Sequence, residues 1–309
     1  MTYDIIGDVH GYVRNLTILL EKLGYRKSSG LYIHPDSGRQ AIFLGDLIDR
    51  GPDIALTLAI VRGMEKNGAA RVVMGNHEYN AICFNTLKSG DSHRWMRKRE
   101  DKNLYQHIET LYQFRDRKDE WKDYVEWFRA LPLFLDLDGI RVVHAAWDPA
   151  SLEIFAGYSA EGNKLTTDLL EQGTIRGNPE FSAFQNTLKG IELKLPDGIT
   201  FTDKDGNSRR EMRVKWWRPA KGRKYNDIAF HPHPEINGRF VSDEISRAVP
   251  GYDDDKPVFV GHYWLHRETP SVLSPMVACL DYSVAAGGYL TAYTWSGETV
   301  LNNNNFTVA

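Results

Sequence analysis

Ala41-Ile42-Phe43-Leu44-Gly45-Asp46-Leu47-Ile48-Asp49-Arg50-Gly51 is the stretch that decides the fold. An apolar run of strand length stops at a glycine, and two carboxylates and a guanidinium follow at once. The same grammar recurs on both sides of it. Ile5 and Ile6 stop at Gly7 and lead into Asp8-Val9-His10-Gly11, while Val72, Val73 and Met74 stop at Gly75 and lead into Asn76-His77-Glu78. Between these runs, residues 16–23 and 54–64 carry apolar side chains at helical spacing. Strands alternating with helices in a βαβαβ pattern predict a parallel sheet. Its polar loops should gather where the carboxyl ends of the strands meet the following connections.

Further along, residues 85–130 read as long charged helices, with Leu104, Ile108 and Leu111, then Trp121, Tyr124, Val125 and Phe128, as apolar stripes. Residues 133–137 and 140–143 flank Asp138-Gly139, a strong hairpin signal. Residues 148–255 are turn-rich, with Pro196-Asp197-Gly198 and Asp203-Lys204-Asp205-Gly206-Asn207 between β-like runs. The second of these imitates a calcium loop, but Gly206 stands fourth in it where an EF-hand needs glycine sixth, so a hairpin turn is the better reading. Residues 258–260 and 277–280 read as two more strands, and 301–309 as a frayed polar tail. The expectation is one α/β sandwich domain over residues 1–309, with a helical insertion at about 85–130 and a mixed, β-rich insertion at about 148–255.

With 42% apolar and 26% charged residues over 309 positions, the chain has the composition of a globular protein with a large core. A formal net charge of -3 gives no support to a broad nucleic-acid-binding surface. Cys83 and Cys279 have no CxxC spacing and read as buried reduced thiols. Met1 leads straight into a strand with no leader-like segment, and no apolar run reaches the ~18 residues of a membrane span, so the expected location is cytoplasmic with no membrane partner. A dinucleotide-dependent oxidoreductase, suggested by the βαβ start, lacks Gly-x-Gly-x-x-Gly after the first strand.

Two later strand ends join the first three: Val143-His144-Ala145 and Val260-Gly261-His262. Carboxylate, imidazole and amide oxygen together make a mixed oxygen and nitrogen set, which suits divalent manganese, iron or zinc better than magnesium or calcium. Two ions ~3.5–4 Å apart need a carboxylate to bridge them, and Asp46 is the candidate.

The set Asp-x-His-Gly, Gly-Asp-x-x-Asp-Arg-Gly, Gly-Asn-His-Glu, a strand-terminal His and Gly-His resembles the calcineurin-like metallophosphoesterases. The Asp-Arg-Gly branch looks like the phosphoprotein phosphatases and bacterial bis(5'-nucleosyl)-tetraphosphatases. The likeness covers residues 3–78 and resumes at 133–149 and 258–293. It implies Asp8, His10 and Asp46 on one metal ion and Asp46, Asn76, His144 and His262 on the other. It further implies that His77, oriented by Asp49, protonates the leaving oxygen, and that Arg50 holds the phosphoryl group. A second arginine from the insertion is implied too, with Arg213 and Arg218 both candidates. Asp281 lies where similar enzymes carry an acidic residue near the site.

Two positions depart from the family pattern. His144-Ala145-Ala146-Trp147 replaces His-Ala-Gly, and Gly261-His262-Tyr263-Trp264 replaces Gly-His-Thr, with Trp264 where some relatives have another histidine. That predicts a first metal more open to water. Trp147, Trp216, Trp217 and Trp264 read as core ahead of base-stacking groups. His231 and His233 read as a rigid turn, and His34, His93, His107 and His266 have no partner motif.

The resemblance therefore implies a two-metal phosphoesterase that cleaves phosphate monoesters or anhydrides with metal-activated water, foremost a phosphoprotein-type phosphatase. A dinucleoside polyphosphate hydrolase or an RNA- or nucleotide-end phosphatase is the alternative. A noncatalytic scaffold is the rival of another class, and it would be expected to have lost the bridging aspartate or the Asn-His pair.

Overall fold

The first strand, Thr2–Ile6, lies between two neighbours of opposite sense: it runs parallel to Arg39–Phe43 and antiparallel to Tyr289–Trp295. Arg39–Phe43 pairs in turn, in parallel, with Ala70–Val72. The computed structural model describes all residues except 29, 92, 160 and 203–207. Helices Val13–Lys22 and Ile54–Lys66 make the crossovers, as the βαβαβ pattern requires. A small hairpin, Arg26–Ser28 with Leu31–Ile33, sits in the first connection.

Alternation along these strands divides their side chains between two layers. Tyr3, Ile5, Ile42 and Leu44 point into a core shared with the second sheet, while Ile6, Ala41 and Phe43 pack under the helices. Asp4 falls on the helix side and is fully buried, where Arg39 grips it through Nε at 2.6 Å and Nη2 at 2.7 Å. Tyr25 and Thr294 donate to the same carboxylate at 3.1 and 2.7 Å, so the buried charge is paired and hydrogen-bonded.

The second sheet runs in the order Val277–Cys279, Val258–Val260, Arg141–Val143, Phe134–Asp136. Its last two strands form the expected hairpin, with Gly139 at φ 89° in the turn. Phe259, Val142 and Ala278 face the shared core. Val258, Val260 and Cys279 face outward onto Trp216, Trp217 and Tyr263, so Trp216 and Trp217 are packing groups. The two-sheet α/β sandwich is therefore as expected, and both cysteines are buried free thiols. Among the described residues no helix is long and apolar enough to cross a membrane.

Several local readings are corrected. Residues 148–255 are less β-rich than expected, because Pro149–Ala156, Thr167–Gly173 and Pro179–Lys189 are α-helices. Their signals are local: proline opens the first and third, and the Thr166 hydroxyl accepts from Leu169 N at 3.1 Å to cap the second. Short strands and a small apolar core follow around Met212, Val214, Tyr225 and Ile228. The calcium-like sequence of residues 203–207 lies outside the described residues, between the paired strands Phe201–Thr202 and Ser208–Arg209. The polar tail is no frayed end, because Phe306–Val308 pairs with Tyr289–Trp295 and completes the first sheet. In the helical insertion, Asp101–Gln113 does not bury the stripe containing Ile108, which is 49% exposed; its buried positions are His107 and Thr110. Polar partners beneath the helix have overridden the apolar pattern.

Candidate dinuclear metal centre

Several of the loops at the carboxyl ends of the core strands turn sharply here. Among the described residues, the non-glycine positions with left-handed φ are His10, Asp46, Asp49, Arg50, His262, Trp264 and Ser283. Such conformations cost of order 1–3 kcal/mol each, and they persist only where surrounding contacts hold them. The Glu78 carboxylate supplies several such contacts, accepting from Asp46 N at 2.8 Å, Leu47 N at 2.8 Å and Gly75 N at 3.0 Å. Burial first, then the nearby Asp46 charge, pushes the Glu78 carboxyl up to about 7. Gly261 is required by close approach: a Cβ there would stand 2.1 Å from Asp8 Oδ1.

Asp46 is at the centre, with its two oxygens facing opposite ways. Oδ2 lies 3.7 Å from His10 Nε2 and 3.9 Å from His77 Nε2, and Oδ1 lies 3.4 Å from His144 Nε2. Ligand atoms of His10, Asp46 and His77 form one group within 4.8 Å of one another, and those of Asp46, His144 and His262 form a second. Asn76 Oδ1 adds to the second group, 3.2 Å from His144 Nε2. Backbone carbonyls fix the rings from behind: His10 Nδ1 donates to Ile48 O at 2.8 Å and His144 Nδ1 to Leu44 O at 2.6 Å. Each ring therefore turns its Nε2 inward. Asp8 stands at the edge of this arrangement, accepting from His262 N at 3.0 Å through Oδ2.

Charge and satisfaction both fit divalent cations. Asp8 Oδ1, His10 Nε2 and His262 Nε2 are buried without a hydrogen-bond partner. Burial and then the neighbouring His77 charge push the His10 imidazole down to about 3, and burial followed by Arg213 holds His262 well below the ordinary histidine range. Both shifts favour the neutral imidazole that a metal ligand requires. Burial and then Asp281 hold the Asp8 carboxyl well above its ordinary range. Burial opposes a charge on His144, yet Asp46 holds it up at about 10. Crowded buried carboxylates beside unpartnered neutral imidazoles are the environment that a bound cation relieves. Asp281 belongs to the supporting frame, accepting from Trp264 N at 2.7 Å and Ser283 N at 3.0 Å.

A calcineurin-like phosphoesterase family model matches residues 1–263. The chain belongs to that family. Among curated proteins it resembles bis(5'-nucleosyl)-tetraphosphatase PrpE (asymmetrical) of Oceanobacillus iheyensis, at 33% identity over 47% of this chain and 55% of the relative. The PrpE of Bacillus subtilis is 46% identical over 25% of this chain and 31% of the relative. The chain thus aligns with about half, or less, of the length of these curated relatives. A solved protein serine/threonine phosphatase from Saccharomyces cerevisiae shares the fold, with TM-score 0.50 and 13% identity over all of this chain and 79% of its own.

In this calcineurin-like phosphoesterase, one position that sequence reasoning left without a role lies against the centre. His107 Nδ1 and Thr110 Oγ1 each lie 2.6 Å from Asp49 Oδ1, and Thr110 Oγ1 also accepts from Asp49 N at 3.1 Å. The other oxygen, Oδ2, accepts from His77 Nδ1. Burial would raise the Asp49 pKa, but His107 and His77 hold it well below the usual carboxylate range. Burial would lower the His77 pKa, but Asp46 and Asp49 hold it above the usual value. His107 and Thr110 lie three residues apart on one helical face, and nothing in that spacing points to a carboxylate 58 residues away.

The arginines divide. Arg50 is exposed at the rim, its guanidinium 4.4 Å from the centroid of the Trp264 ring. Trp264 also stands beside His10, with centroids 6.5 Å apart, so the departure from Gly-His-x-His places an indole there. Arg213 lies against Tyr263 and Glu192, on the His262 side of the centre. Arg218 is exposed and beside Lys215, and among the described residues no contact brings it to the candidate ligands.

Proposed function

We propose that this chain is a two-metal phosphohydrolase acting on phosphoanhydride or phosphate monoester bonds, with dinucleoside polyphosphates as its substrate class. The observation that carries the reaction class is the disposition of Asp46, whose two oxygens serve separate groups of inward-turned imidazoles. The substrate class rests on the partial sequence likeness to bis(5'-nucleosyl)-tetraphosphatases. Phosphoproteins are the competing class.

Asp8, His10 and Asp46 would hold one divalent transition ion, and Asp46, Asn76, His144 and His262 the other; manganese, iron and zinc suit this donor set. When bound, such ions supply positive charge to the phosphoryl oxygens and acidify water toward neutral pH. The chain's own groups do the rest. Arg50 meets the charge that grows on the phosphoryl oxygens, and Arg213 is the better placed of the two insertion arginines to assist it. As the bond from water to phosphorus forms and the bond to the leaving oxygen breaks, His77 Nε2 gives its proton to that oxygen. Asp49 holds the opposite ring nitrogen and stabilises the imidazolium beforehand.

The test is to load the protein with manganese, count the bound ions, and assay a dinucleoside tetraphosphate, a phosphoserine peptide and p-nitrophenyl phosphate. Cleavage of the tetraphosphate with the highest kcat/KM is expected. Preference for the phosphopeptide would transfer the chain to the competing class. Two bound ions with no turnover of any substrate would overturn the enzymatic reading in favour of a binding scaffold.

A further inference from the structure

Beside Arg50 the surface opens into a cavity of about 320 Å³ lined by Arg50, Tyr105, Gln106, Ile108 and Glu109. That volume is at the small end of the ~300–1,000 Å³ typical of small-molecule sites. All but Arg50 come from the single helix Asp101–Gln113. The opposite face of that helix holds Asp49 through His107 and Thr110, so the cavity wall and the centre are fixed to each other.

The lining is chemically graded. Arg50 is a cation at the end nearest the metal ligands. Tyr105 and Ile108, 81% and 49% exposed, give an aromatic and an aliphatic surface. Glu109 offers carboxylate acceptors, and Gln106 an amide whose oxygen accepts from Arg97 at 2.9 Å. The Glu109 carboxylate in the lining disfavours phosphate beside it and suits hydroxyl donors. The matching molecule carries an anionic part for Arg50 and an uncharged, flat part with hydroxyls for Tyr105, Ile108 and Glu109.

We propose that this cavity is the nucleoside subsite, with the base against Tyr105 and Ile108, the ribose hydroxyls toward Glu109, and the phosphate chain leading past Arg50 to the centre. This rests on the dinucleoside polyphosphate reading above and gives it a specificity-determining residue, Tyr105.

The experiment uses the manganese-loaded full chain and its Tyr105→Ala and Tyr105→Trp variants. Rates are measured on a dinucleoside tetraphosphate, on inorganic tripolyphosphate, which has the same anhydride and no base, and on a phosphoserine peptide. AMP binding is measured by calorimetry. Tyr105→Ala should raise KM for the dinucleoside substrate by roughly 5- to 50-fold and weaken AMP to a similar degree, as expected for one lost stacking contact. Its kcat and its tripolyphosphate kinetics should stay unchanged, and Tyr105→Trp should restore binding. Equal KM changes with and without the base, or unchanged AMP affinity, would overturn the subsite. A KM effect confined to the phosphopeptide would do the same and give the aromatic face to a peptide. If the parent fails to cleave the dinucleoside substrate yet Tyr105→Ala still weakens AMP, the functional reading fails while the subsite stands.

Discussion

The Nδ1 of His107 lies 2.6 Å from Asp49 Oδ1, on the oxygen that His77 leaves free. One carboxylate is thus braced between two imidazoles, and only His77 also faces Asp46. In the proposed mechanism His107 is a positioning residue that keeps Asp49 turned toward His77. His77→Ala should slow substrates with basic leaving groups by roughly 10²–10⁴ and spare p-nitrophenyl phosphate, whose leaving group scarcely needs a proton. His107→Ala should follow the same pattern at roughly 10-fold. Rates against leaving-group pKa, at fixed metal content, are the check: a general loss of structure would lower every substrate alike and leave the slope unchanged.

Asp46→Asn should lose metal content and turnover together, since a neutral amide in place of the shared carboxylate weakens both groups of ligands. His262→Ala, by contrast, touches the second group alone and should retain one ion. Elemental analysis of both variants after identical loading separates the cases. Two ions in Asp46→Asn would remove it from the bridging position.

Arg50→Ala should keep both ions while raising KM and lowering kcat, because the guanidinium lies over Trp264 and outside the ligand groups. Trp264→Ala should give a milder form of the same defect by freeing Arg50 from its aromatic platform. Metal loss in Arg50→Ala would show that its contribution is structural.

Arg39→Ala should destabilise the fold by about 3 kcal/mol, because it strands the fully buried Asp4 charge without its bidentate partner. Urea denaturation should show a lower midpoint with an unchanged slope. A double variant, Arg39→Ala with Asp4→Asn, should recover part of the loss. Equal destabilisation in the single and double variants would mean that lost packing of the arginine stem is responsible.

The core of this fold was legible because most strands that feed the centre end at a glycine followed by a candidate ligand residue, as at Gly45-Asp46 and Gly75-Asn76, with Val143-His144 as the exception. Sequence spacing alone carried that information. His107 was illegible because its partner lies 58 residues away and no local motif marks it. The apolar stripe on its helix instead left Ile108 half exposed, in the cavity that Arg50 also lines. Phe306–Val308 was missed for a related reason: a short edge strand following Asn302-Asn303-Asn304-Asn305 owes its structure to the neighbour it pairs with.

The left-handed backbone at His10, Asp46, Asp49, Arg50 and His262 sets chemistry against conformational preference. At each of these positions glycine would relax the chain, and none of the functional groups would survive it. Glycine would also strand the buried partners of Asp46 and Asp49, so at these turns the backbone and the side chains make opposite demands on the same residues.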